Sequence, residues 1–134
     1  MKPAVPAVLV DVAGKLRRDI VPQLSGFHAS NVAMIAAMLD MVAEEWDRTP
    51  ARYIAENRAL RSLLARGGCA PPADEGDLLL SELAATNDHL CAELVELHQG
   101  LEARDDDDAR RLESEIWTLL RDAVEQRRIS SANF

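Results

Sequence analysis

His89, Glu93 and Glu96 stand at i, i+4 and i+7, which puts an imidazole and two carboxylates on one face of a helix. That set holds zinc, iron or manganese when another helix supplies further ligands, and Asp40, Glu44 and His28 are the residues that could supply them. Carboxylate di-iron bundles use Glu-x-x-His pairs, whereas the residues three before His28, His89 and His98 are Ser25, Thr86 and Val95. The heptad register set out below turns His89 and Glu96 away from the core line, so the pattern favours a solvated face, with a metal at His89, Glu93 and Glu96 as the alternative. An enzyme acting through Asp40, Glu44 and His89 would draw on the same groups, but no phosphate loop, nucleophile elbow or zinc-protease motif accompanies them. No cofactor is expected.

The remaining chemistry-bearing residues have structural readings. Asp105 to Asp108 lacks the alternating ligands, central glycine and closing glutamate of a calcium loop, and reads as a helix cap that also complements the macrodipole. His98 and Glu102 form an exposed i, i+4 pair near a helix end. Cys91 lies about fourteen residues along its helix, roughly 20 Å from the loop that carries Cys69. That spacing predicts two free thiols, and free thiols suit a reducing cytoplasm.

The element that positions most of these groups is a leucine seam. Leu80, Leu83, Asn87, Leu90, Leu94, Leu97 and Leu101 alternate steps of three and four, one line along a helix from about Asp77 to Leu101. Asn57, Leu60 and Leu64 repeat part of that spacing upstream. If Gly67 to Gly76 joins an antiparallel hairpin, Asn57 and Asn87 come to a similar height, and a polar pair in an apolar seam fixes register. The expectation is that the two amides meet in or next to one core layer, as a structural polar layer.

Around the seam, Pro6 opens a first helix that Pro22 should bend or end, and Phe27 to Trp46 reads as the most buried helix. Its stripes are Val32, Ile35, Leu39, Val42 and Trp46 beside Met34, Met38 and Met41, with small alanines on a third face. Thr49 and Pro50 then start a further segment or kink a continuing one, to about Arg66. The last helix, opened by Asp105 to Asp108, carries Leu112, Ile116, Leu119 and Ala123 on one stripe and Trp117, Leu120 and Val124 on another. The fold class is all-α, an antiparallel four- to five-helix bundle forming one domain over residues 1–134.

Composition agrees: 48% hydrophobic residues with 4% aromatics describes a core of Leu, Ala, Val, Ile and Met. The net charge of −8 argues against nucleic acid, which requires clustered Lys and Arg. It is uneven: residues 67–134 hold sixteen acids against six bases, so a basic partner would be drawn to that half. The longest purely apolar run, Val32 to Leu39, is too short to span a bilayer, and no membrane association is expected. Lys2, Pro3 to Val10 and Asp11 resemble a secretion signal only superficially, because of two prolines and an early acid.

The segment LRRDIVPQLSGFHASNVAMIAAMLDMVAEEWD, Leu16 to Asp47, resembles the start of an uncharacterised bacterial helical domain encoded beside acyl-CoA dehydrogenases and aminoglycoside-phosphotransferase-like kinases. The likeness rests on Asp19 to Pro22, on Leu24 with Gly26, and on the Ala-rich stretch Ala29 to Glu45. The resemblance implies a bacterial cytoplasmic accessory protein and carries no catalytic positions. The residues therefore describe a non-enzymatic interaction protein acting on a partner or on itself, a homodimer being expected because the central and seam helices show surplus apolar surface. The alternative is a bundle that binds a metal or small ligand between helices.

Overall fold

The computed structural model describes residues 4–72 and 76–130. Among them the chain is all-α, without a strand: α1 is Val5–Lys15, α2 Gly26–Arg66, α3 Leu80–Glu102 and α4 Asp107–Gln126. The described residues fall into two compact units, divided at Thr49–Pro50 and again at Arg128–Ile129. The first division falls inside α2, which continues through Pro50. A proline there removes the bond its N–H would donate to the Trp46 carbonyl, a cost of about 3 kcal/mol that packing along the helix must offset.

In the unit before Pro50, α1 begins with proline in its first turn and runs into a π-helical turn at Leu16–Ile20 and a 3-10 turn at Val21–Gln23. Pro22 has no amide to extend the ladder, and the Leu24 amide closes the last turn onto the Val21 carbonyl at 3.1 Å. Gly26 then opens α2 at φ +57°, a conformation that suits glycine. Arg17 of the π-helical turn pairs with Asp40 of α2. Lys2 and Pro3 of the leader-like stretch lie outside the described residues.

The expected burial of Phe27 to Trp46 is overturned. Within that stretch only Ala36 is buried among residues up to Leu39, and Ala43 beyond it, while Phe27 is 75% exposed and Met34, Ile35, Met38, Val42 and Trp46 about half. The small side chains allow a close neighbour on their own face, and the bulky stripe points elsewhere. Apolar character all around a helix foretold burial, but it did not specify how many neighbours would arrive.

The unit from Pro50 to Arg128 holds the leucine core. Leu60, Leu63 and Leu64 of α2 join Leu90, Leu94 and Leu101 of α3 and Ala109 and Ile116 of α4, all buried in one cluster. Burial of each leucine contributes about 1.5–3 kcal/mol. Leu83 is buried as well, whereas Leu80 is 47% exposed and Leu97 only partly covered, so the seam begins a turn later than its spacing predicts. The reason is local: Asp77 accepts a hydrogen bond from the Leu79 amide at 3.1 Å, which holds the chain in a turn, and α3 starts at Leu80.

α2 ends where Gly68 takes φ +85° and the Cys69 amide reaches the Leu64 carbonyl at 3.0 Å. Gly67 lets the Leu97 side chain lie close, since a Cβ there would meet Leu97 Cδ2 at 2.5 Å and the leucine would have to shift. The loop expected over Gly67 to Gly76 follows, with residues 73–75 outside the described part. At α4 the Asp106 side chain caps the Ala109 amide at 2.9 Å. Arg104 beside it, followed by that amide, holds the Asp106 carboxyl below its ordinary value.

Leu90→Ala is expected to cost about 2–5 kcal/mol in denaturant unfolding, and Leu80→Ala no more than about 0.5 kcal/mol. Equal losses at the two positions would contradict the burial pattern of the seam.

Candidate interaction surface

Two kinds of site are built on this frame, a buried polar layer in the leucine core and an open apolar face on α2. In the layer, Asn87 Nδ2 donates to Asn57 Oδ1 at 2.9 Å, and Asn57 Nδ2 donates to the Leu83 carbonyl at 3.2 Å. Both residues are buried, so each amide exchanges water for a partner inside the seam. Cys91 Sγ lies 3.8 Å from Asn87 Oδ1 on the next turn.

Beside the layer sits an ion pair that the residue pattern did not reveal. Arg127 donates to Glu56 Oε1 at 2.6 Å, with the Glu56 side chain only 7% exposed and Arg127 half open to water. Arg127 reads from sequence as a cation at the end of α4, and its partner lies 71 residues away. The one local signal was the position of Glu56 next to Asn57 on the inward edge of α2. Burial, and then Glu56, push the Cys91 thiol above its ordinary pKa, while Arg127 opposes the shift. Cys91 is thus a poor nucleophile at neutral pH, and both it and Cys69 are free thiols.

His89, Glu93 and Glu96 share the face expected of them. His89 Nε2 is 3.2 Å from Glu93 Oε1, with His89 well exposed. Glu96 is also exposed, and Glu93 and Glu96 line a shallow groove of about 530 Å³ with Cys69, Leu97 and Arg104. Among the described residues no group of three or more His, Cys, Asp or Glu is placed to hold a metal ion. Asp40 and Glu44, the residues that could have completed such a set, have other partners: Arg17 holds Asp40, and Glu44 takes Arg48 and both the amide and hydroxyl of Ser130, at 2.9 and 2.8 Å. His28 meets the Phe27 ring edge-on.

His98 is less exposed than a helix-end pair should be. It is 3.9 Å from Glu102 and packs edge-on against Trp117, with ring centroids 5.8 Å apart. Trp117, Leu120 and Val124 form the open stripe of α4, and Leu112, Ile116, Leu119 and Ala123 its covered one. Between α2 and α4 a groove of about 470 Å³ is lined by small and polar side chains, including Ala55, Ala59, Ser62, Ser114 and Thr118. Its rim is held by Arg66, which grips Glu115 through two nitrogens at 3.0 and 2.7 Å.

The open face of α2 is the larger feature. Phe27, Met34, Ile35, Met38, Val42 and Trp46 recur within about 120° of the helix circumference, a single stripe some 29 Å long at about 1.5 Å per residue. Gly26–Arg66 includes an 18-residue stretch with mean hydropathy 1.3, of which 11% is buried, so by length and composition it is apolar enough to cross a bilayer. The sequence expectation missed this because it counted only uninterrupted apolar residues, from Val32 to Leu39.

No protein-family model matches the chain, and neither a curated protein nor a solved structure shows significant similarity to it.

Either Asn57→Leu or Asn87→Leu is expected to cost about 1–3 kcal/mol by orphaning its partner, and the double variant to cost less than the sum, as read by a double-mutant cycle. Additive losses would mean that the amides act independently. Alkylation of Cys91 is expected to be slower than that of an unperturbed thiol at the same pH, because a raised pKa leaves less thiolate, and to climb as the pH rises toward that pKa. Glu56→Gln removes a charge that disfavours the thiolate and is expected to speed the reaction.

Proposed function

We propose that this chain is a non-enzymatic interaction or accessory protein whose working part is helical surface. The observation that carries this reading is the uncovered stripe from Phe27 to Trp46, since contiguous apolar patches of this extent on proteins mark contact sites. Three methionines on or beside it, Met34, Met38 and Met41, give the contact adaptable side chains.

The helices of the unit from Pro50 to Arg128 are read as an antiparallel bundle. Supporting this are the short connection from Glu102 to Asp107 and the cross-helix bonds Asn57 to Asn87 and Arg66 to Glu115. Their role is to hold a fixed frame. The acidic balance supports a protein occupant over nucleic acid, and the two free thiols accord with a reducing cytoplasm. The resemblance of Leu16 to Asp47 adds a bacterial setting near acyl-CoA or phosphotransfer enzymes.

A photo-crosslinking residue in place of Met34, introduced into the full chain in its own host, tests the reading. Discrete protein adducts identified by mass spectrometry, and absent when the crosslinker replaces the exposed Gln99, are the expected result. Lipid adducts alone, or no adduct at either position, would overturn it.

A further inference from the structure

The stripe on α2 is matched to itself. Phe27 and Trp46, at its two ends, and the four half-exposed side chains between them leave roughly 600 Å² of apolar surface, the upper end of what a monomer shows. With Asn31 and Met41, both partly open on the same face, the area approaches the roughly 800 Å² per partner that stable association needs. Two-fold pairing requires one patch to complement its own copy, and closed dimers of this kind are the commonest assemblies.

Rotation about an axis through the Ala36–Ala37 peptide supplies that complement. An antiparallel second copy then sets Phe27 against Trp46, Asn31 against Val42, and Ile35 against Met38. The same register brings His28 level with Glu45, a base beside an acid. A parallel pair would instead set Glu45 beside Glu45 and Trp46 against Trp46, repelling at one position and overfilling at the next.

A lipid surface suits the face less well. Helices that lie on membranes flank their apolar side with Lys and Arg, while this stretch carries Asp40, Glu44, Glu45 and Asp47 against the lone cation Arg48.

We propose that the Phe27 to Trp46 face binds a second copy of this chain, antiparallel, about a two-fold axis at Ala36–Ala37. The proposal rests on the reading of the chain as a surface-acting protein and names the occupant of that surface.

Sedimentation equilibrium of the full chain at concentrations up to about 100 µM tests it. The expected mass is twice 14.7 kDa, and Met38→Glu is expected to weaken the pairing by about 30-fold or more with an unchanged circular dichroism spectrum. Should that variant not fold, disulfide trapping carries the test. With Cys69 and Cys91 replaced by serine, chains bearing Phe27→Cys and chains bearing Trp46→Cys are expected to crosslink when mixed, and neither alone.

A wild-type mass of 14.7 kDa throughout overturns the proposal, as does crosslinking by either variant alone at the level of the mixture. So does flotation of a monomeric chain with phosphatidylcholine vesicles. A monomer that still forms adducts to a different protein through position 34 overturns self-pairing and leaves the surface reading standing. A monomer with no protein adduct overturns both.

Discussion

A buried amide must find a partner, and in the unit from Pro50 to Arg128 that requirement fixes how α2 and α3 meet. Leucines slide past one another with little penalty, because their attraction is non-directional. Asn57 and Asn87 do not, since a shift by one turn would break the bonds from Asn87 Nδ2 to Asn57 Oδ1 and from Asn57 Nδ2 to the Leu83 carbonyl inside a water-poor seam. The hydrogen bond between them therefore selects one register among several that the leucines alone would accept. Leu60, Leu64, Leu90 and Leu94 supply the energy of the contact, and the amides supply its specificity. The Glu56 to Arg127 pair ties the end of α4 to the same level of α2, where loss of the arginine would strand a carboxylate away from water.

The unit before Pro50 is organised differently. Its buried positions among the described residues are alanines, Ala13 of α1 and Ala36 and Ala43 of α2. The bulky residues that would ordinarily drive burial remain on the outside. Leucine closes the core of the unit from Pro50 to Arg128, whereas methionine, phenylalanine and tryptophan stand on an open stripe of α2. Such a division of labour accounts for a chain that is nearly half hydrophobic and yet leaves some of its largest side chains exposed.

The candidate sites were legible to different degrees. The asparagine pair could be found because a polar residue interrupts a regular apolar spacing, and the two positions are about equally distant from the loop. His89, Glu93 and Glu96 were legible as a shared face, because spacing of four and three residues is a property of one helix alone. The contact between His98 and Trp117 was invisible, as nothing in either helix states which residues of the other will lie opposite. The open stripe was misread for a related reason. Periodicity identifies an apolar face, whereas exposure depends on the number of neighbours.

What the residues determined alone is everything that local geometry controls. Helical periodicity, proline at the first turn of α1, the aspartate cap of α4 and the glycines that end α2 are decided within a few positions of themselves, because backbone hydrogen bonds and steric limits act over that range. Tertiary structure alone decided which apolar faces found partners. It closed the leucines of α3 over α2 and α4, paired Glu56 with an arginine 71 residues away, carried α2 through Pro50 and left Phe27 to Trp46 uncovered. Burial is a property of neighbours, and neighbours distant in the chain are written in no single segment of it.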